Sequence, residues 1–150
     1  LKIMISTDNH LGVWEKDEVR KDDSFVAFEE VDMLLLGGDL FHDNKPSRPT
    51  VVRAVELLSN YCLGDEPIRF RVLSDPAANF VGGRANFDNP NVNIGLPVFT
   101  IHGNHDDPAG ADNLSAVDLV SACGLVNYFG KLLSGSNIGR ITLAPVLMQK

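Results

Sequence analysis

Three short strings in the 150-residue chain gather side chains that can grip a cation or move a proton. Asp8-Asn9-His10 sets a carboxylate and an imidazole two positions apart, and in extended chain such residues point to the same side. Gly37-Gly38-Asp39-Leu40-Phe41-His42 places an acid after two glycines, which let the backbone turn sharply and let a ligand come close. Gly103-Asn104-His105-Asp106 adds an amide oxygen and an imidazole able to donate a proton or steady an oxyanion. Each string alone has an ordinary structural reading as a turn, a helix cap or an Asn-based bend.

The elements in front of the strings change that reading. Each string follows an apolar run: LKIMIST at 1–7, VDMLLLGG at 31–38 and PVFTIHG at 97–103. Near-continuous apolar runs suit strands of an α/β sheet covered on both faces. The carboxyl ends of such strands form one rim, where ligands bind. Asp8, His10, Asp39 and Asn104 on one rim make an oxygen/nitrogen site for a divalent metal. Mn²⁺ or Mg²⁺ suits it, with Zn²⁺ or Fe²⁺ as further options, and no thiolate cluster points to structural zinc. Asp39, with two oxygens, is the natural bridge between two ions, and two ions ~3.5–4 Å apart form a clamp for in-line attack on phosphorus by an activated hydroxide.

Two helices are expected. Residues 48–62 carry Val51, Val52, Val55, Leu57, Leu58 and Tyr61, with Ser47 as cap, Pro49 in the first turn and Gly64 as stop. Residues 111–123 carry Leu114, Val117, Leu119, Val120 and Ala122, with Gly124 as stop. Both are apolar beyond one stripe, enough for a sheet and a partner. IRFRVL at 68–73 alternates as an edge strand does, and 139–149 alternates weakly. Residues 74–96 are rich in Asn, Gly, Pro and Asp, and so long a connection is expected to be functional or mobile. A helix over 24–30 runs straight into the strand at Val31. Seven helical residues span only ~10 Å where recrossing a strand needs ~17 Å. About ten residues are therefore expected to be lacking between Glu30 and Val31.

Composition narrows the classes. Hydrophobic content of 44% with 22% charged residues excludes wholesale disorder. A net charge of −7 argues against a simple basic nucleic-acid clamp, though metal ions can supply the positive potential instead. Cys62 and Cys123 are too few for a disulfide scaffold, and both are expected to be buried thiols. No apolar run approaches the ~18 residues of a membrane span, and no leader pattern precedes Leu1, so an intracellular chain with no membrane partner is expected.

The strings STDNHLG, LLLGGDLFHDNKPSR, NYCLGD, PVFTIHGNHDDP and GLVNYFG, in this order, resemble the calcineurin-like metallophosphoesterase superfamily. The resemblance is closest to its DNA double-strand-break repair nucleases of the meiotic-recombination type, in their eukaryotic form. It implies a layered α-β-β-α fold, of which 1–150 would be the N-terminal part of the nuclease domain. It implies that Asp8 and His10 bind a first metal, that Asp39 bridges and that Asn104 binds the second. His105 would act at the scissile phosphate or leaving oxygen, and His42 would help process DNA; His102 reads as structural. The implied activity is a manganese-dependent 3′-to-5′ exonuclease and endonuclease of homologous recombination and meiosis, in the nucleus, with two Mn²⁺ ions as cofactors.

The implied partners are DNA, an SMC-like coiled-coil ATPase, a nibrin-type regulatory subunit and a second copy of the chain. The homodimer would form through helices 48–62 and 111–123, with Leu58 and Leu114 as test positions. The regulatory subunit would dock on a loop at about 64–95, for which Asn79-Phe80 and Phe87 offer apolar points. Arg20, Lys21, Lys45 and Arg48 are candidates for a basic stripe along DNA. The chain also departs from the superfamily, which completes its metal site with downstream histidines in G-H and G-H-x-H motifs. Here His10, His42, His102 and His105 are the only histidines, so the piece is expected to lack ligands. Two alternatives stand beside the nuclease: a phosphatase or small-nucleotide phosphodiesterase on the same fold, and a non-catalytic dimerisation and docking fragment.

Overall fold

The computed structural model describes residues 1–13, 31–131 and 143–150. In chain order the elements are β1 (Ile3–Ser6), β2 (Met33–Leu36), α1 (Arg48–Cys62), β3 (Arg71–Val72), α2 (Pro76–Asn79), β4 (Val98–Thr100), α3 (Ala116–Ala122), β5 (Asn127–Tyr128) and β6 (Met148–Gln149). The main sheet is parallel throughout, in the order β1-β2-β4-β5, and β3 and β6 form a separate antiparallel pair. The helix expected over 24–30, the 30–31 joint, Arg20 and Lys21 lie outside the described residues.

The runs of β2 and β4 are continuous because both faces of these central strands are covered, whereas β1 lies at the sheet edge with Ile3 and Ile5 exposed, against the expectation for its run. Side chains alternate across a strand. Leu34 and Leu36 of β2 and Val98 of β4 therefore enter one core, with Ala54 and Cys62 of α1 and Ala116, Val117 and Val120 of α3. Met33 and Phe99 enter a second core on the opposite face, with Phe70, Phe80 and Ala85, against which Val72 and Met148 of the small sheet pack. Helices, parallel sheet and small sheet thus stack as three layers, an α/β arrangement. At the start of β1 and β2 the Asp32 carboxylate accepts the backbone N–H of Lys2 at 2.6 Å. That bond, and then the Arg69 guanidinium, holds its carboxyl below the usual carboxylate range.

α1 has the expected bounds. The Ser47 side chain accepts the Thr50 N–H, and Pro49 sits in the first turn. α3 starts later than the periodicity suggests. Gly110 and Asn113 both adopt positive φ, which folds 109–114 into a turn closed from Ala109 N–H to the Leu114 carbonyl. Ser115 then opens the helix, with Asp118 completing a capping box. β5 has no apolar signature of its own. Its Asn127 is buried and accepts the Asn86 N–H at 2.7 Å while donating to the Asn86 amide oxygen and the Val98 carbonyl.

That amide pair also corrects the view of residues 74–96 as a polar loop with apolar docking points. Phe80 is buried, and Phe87 packs edge-on against Phe70 at 5.7 Å. Asn79 is buried and donates to the Ala144 and Pro145 carbonyls. These three side chains anchor the loop inward. Leu58 likewise packs on the first core, whereas Leu114 is exposed.

The two cysteines part company, against the expectation that both are buried. Cys62 is buried, and desolvation pushes its thiol up to about 12; Cys123 is exposed. The thiolate is the reactive form. Iodoacetamide near pH 8 is therefore expected to label Cys123 alone, with Cys62 reacting only after denaturant is added. Equal labelling of both by mass spectrometry would contradict this packing.

Candidate metal centre

All three strings lie at the carboxyl ends of neighbouring parallel strands, and the backbone continues the sheet's pairing beyond the strands. Past β1 and β2, Asp8 N–H donates to the Gly38 carbonyl at 3.2 Å, His10 N–H to Asp39 at 2.9 Å and Leu11 N–H to Leu40 at 2.8 Å. The loop after β4 joins them through side chains. His105 N–H donates to Asp39 Oδ1 at 2.8 Å, and among the described residues no hydrogen bond takes up Oδ2. His105 Nδ1 lies 2.8 Å from the His42 carbonyl. A carbonyl only accepts, so Nδ1 carries the proton and Nε2 keeps the lone pair when the ring is neutral. Asn44 donates to the Asp107 carbonyl between the same two loops.

The glycines serve this closure more than a ligand's approach. A Cβ on Gly103 would stand 2.2 Å from Asp39 Oδ1, and one on Gly38, at φ +107°, would stand 2.9 Å from the Gly103 backbone. The motif glycines touch each other's loops. Asp8, His10 and Asp39 adopt φ values of 55°, 46° and 51°, three of the four non-glycine residues in the left-handed region among the described ones. Such conformations cost of order 1–3 kcal/mol each and gather at functional sites.

The side chains converge. One ligand atom each of Asp8, His10 and Asp39 lie within 4.8 Å of one another, and so do one each of His10, His42 and His105. His10 Nε2 is 3.8 Å from Asp8 Oδ1. Asp8 is exposed, Asp39 is only 6% exposed and His10 is half-buried. Asn104 lies exposed on the loop beside His105. His102 stays apart, with Nδ1 on the Gly103 carbonyl at 3.1 Å and its ring edge-on to Tyr128. Lys45 and Arg48 are exposed beyond His42, at the start of α1. Asp106 was not singled out by the sequence. It is 0% exposed and accepts Phe41 N–H at 3.2 Å on one oxygen and Gly103 N–H at 2.6 Å on the other. Its only sequence signal is its place in the third string.

Two carboxylates and an imidazole are a donor set that suits a hard or borderline divalent ion. Residues 1–146 match the calcineurin-like phosphoesterase family, and the chain belongs to it. Members of that family bind divalent metals. Among its relatives the chain is 59% identical to the double-strand break repair protein MRE11 of Arabidopsis thaliana, over 100% of this chain and 22% of that protein. It is 58% identical to that of Oryza sativa subsp. indica, over 100% and 23%, and 50% identical to that of Homo sapiens, over 99% and 22%. The chain thus spans less than a quarter of the length of these relatives. The Arabidopsis alignment covers 162 positions against 150 residues in this chain, a difference of twelve, so that relative carries residues with no counterpart here.

Gly103→Ala is expected to push the third loop off Asp39 and weaken divalent-metal binding at least about tenfold, the lower end for losing a residue that supports a ligand. Metal titration by calorimetry checks it. Unchanged affinity would mean that the loops close without this contact.

Proposed function

We propose that this chain carries part of the catalytic centre of a manganese-dependent DNA nuclease of double-strand-break repair, acting as a 3′-to-5′ exonuclease and as an endonuclease. The observation that supports this reading is the convergence of Asp8, His10 and Asp39 within one ion's reach at the sheet rim. Similarity to MRE11 proteins supports DNA as the substrate.

In this reading Asp8 and His10 hold a first ion, Asp39 bridges to a second and Asn104 binds the second. When bound, such ions acidify water and offset charge on the phosphate. The chain's own residues do the rest. Asp39, held by the His105 N–H, keeps its other oxygen at a set position. His105, locked by the His42 carbonyl, keeps Nε2 for holding or giving a proton at a phosphate or leaving oxygen. His42 packs against both His10 and His105, with ring centroids 5.3 and 5.2 Å away, and keeps both rings in place as DNA is processed. Lys45 and Arg48 track the DNA backbone. The further partners in this reading are an SMC-like coiled-coil ATPase and a nibrin-type subunit, in the nucleus. The exposed tip of the long loop, residues 81–84, is the part left to meet that subunit.

With the intact protein, Mn²⁺ and an oligonucleotide duplex, Asp39→Asn is expected to lose both Mn²⁺ binding and cleavage. His105→Asn is expected to cut turnover ~10²–10⁴-fold with Mn²⁺ affinity kept, the range of general acid–base help. Cleavage at wild-type rate in Asp39→Asn would overturn the site assignment. Hydrolysis of a phosphomonoester with DNA left intact would move the substrate to small phosphates.

Homodimerisation through 48–62 and 111–123 is supported by Val52, Leu114 and Leu119, each more than half exposed. Val52→Glu with Leu119→Glu is expected to yield monomers in sedimentation equilibrium. Leu58→Glu is expected instead to lower the melting temperature, because that side chain packs on the core. Dimers persisting in the double variant would place the interface elsewhere.

A further inference from the structure

His10 presents its two ring nitrogens to two different sets of ligands. Nε2 faces Asp8 at 3.8 Å, and Nδ1 faces His42 Nδ1 at 3.4 Å. The second separation is long for a hydrogen bond from nitrogen, which has a typical range of ~2.7–3.2 Å. It does match a metal's bite, since two nitrogens bound at ~2.0–2.1 Å to one tetrahedral Zn²⁺ stand ~3.3–3.4 Å apart. His105 completes the group, with its ring centroid 4.8 Å from that of His10 and 5.2 Å from that of His42. Its Nδ1 is committed to the His42 carbonyl, so Nε2 is the nitrogen free to bind.

We infer that His10, His42 and His105 form a second, imidazole-only metal site for Zn²⁺ or a similar borderline ion, and that this site excludes an ion held by Asp8, His10 and Asp39. Imidazole prefers Zn²⁺, Cu²⁺ and Ni²⁺, whereas carboxylate-rich sets suit Mn²⁺ and Mg²⁺. The two sites therefore select different metals. Exclusion follows from the ring. A neutral imidazole has one lone-pair nitrogen, and its other nitrogen carries the proton. With Nε2 on an ion beside Asp8, Nδ1–H points at His42. With Nδ1 on an ion beside His42, Nε2–H points at the Asp8 carboxylate. In each case the protonated nitrogen faces the other set of ligands at a separation longer than a hydrogen bond from nitrogen. The tri-histidine site stands on ring geometry and does not require that the protein cleave DNA; only the exclusion rests on the metal assignment proposed above.

Calorimetry with Zn²⁺ alone and with Mn²⁺ alone, together with the visible spectrum of added Co²⁺, tests it on the intact protein. His42→Gln is expected to lose the intense Co²⁺ bands of a four-coordinate site built on three imidazoles and to weaken Zn²⁺ at least about tenfold, with Mn²⁺ weakened less because Asp8, His10 and Asp39 all remain. His105 rests on the His42 backbone carbonyl, so this change leaves that anchor in place. Asp8→Asn is expected to do the reverse, weakening Mn²⁺ and keeping the Co²⁺ bands. Wild-type protein loaded with Mn²⁺ is expected to release it as Zn²⁺ binds. Unchanged Zn²⁺ affinity and Co²⁺ bands in His42→Gln would overturn the site. Zn²⁺ uptake with Mn²⁺ retained would overturn the exclusion. Failure of Mn²⁺ to bind wild-type protein would overturn the manganese assignment proposed above and the exclusion with it, while the Zn²⁺ and Co²⁺ results alone decide the tri-histidine site. Should His42→Gln fail to fold, as judged by its melting curve, His105→Gln replaces it with the same expected loss of the Co²⁺ bands.

Discussion

The carboxylate of Asp106 is fully buried, and each of its oxygens takes a backbone N–H from a different loop, Phe41 on one and Gly103 on the other. A buried charge without partners costs several kcal/mol. With two charge-assisted bonds the same charge becomes a fixed point. The loop after β2 and the loop after β4 are joined there, 65 residues apart in sequence at Phe41. The positions of Asp39 and His105 follow. His105 N–H reaches Asp39 because Gly103 is already held, and Gly103 can be held there because it has no side chain to strike the Asp39 carboxylate.

On the other side of Asp39 the constraint is the parallel ladder itself. β1 and β2 pair in register from Ile3 with Met33 to Ser6 with Leu36, and the bonds after them carry the pairing on to Leu11 and Phe41. Asp8, His10 and Asp39 sit in that extension with left-handed backbones. Asp and His tolerate this region better than branched residues do. The sheet's pairing is what holds them there. Rim geometry and sheet register are thus one property, and a slip of β1 against β2 would dismantle the ligand set before it exposed any core.

Much of this was legible in the residues, and the parts that were not share a cause. α1 could be bounded because Ser47, Pro49 and Gly64 signal locally. β2 and β4 could be placed because burial on both faces leaves an unbroken apolar run. The candidate ligands stood out because short spacings after strands are a local pattern. What stayed hidden depends on partners distant in sequence. β5 is held by Asn127 against Asn86, 41 residues away. Phe80 and Phe87 turn inward because Phe70 and Phe99 offer a pocket that composition does not reveal. The delayed start of α3 is a local exception, where Asn113 with a positive φ overrides a helical spacing. Asp106 and the pairing of His10 with His42 were hidden for the first reason, since motif reading assigns residues to a site without saying which face which.

The facing of side chains matters because the rim brings more ligands together than one ion can use. Three imidazoles and two carboxylates meet with His10 common to both groups, and its single lone pair can serve only one of them. A ligand that binds only the folded state stabilises it by about 2.7 kcal/mol at a hundred times its dissociation constant. Ions of different chemistry would therefore stabilise the same rim through different subsets of its residues. Asp39, fixed by His105 on one oxygen, belongs to the carboxylate subset alone. His105 touches both, as the backbone donor to Asp39 and as an imidazole in the other group. The closure that fixes Asp39 through His105 thus also brings His105 within reach of His42 and His10, so the two metal preferences proposed above would both follow from a single packing of loops.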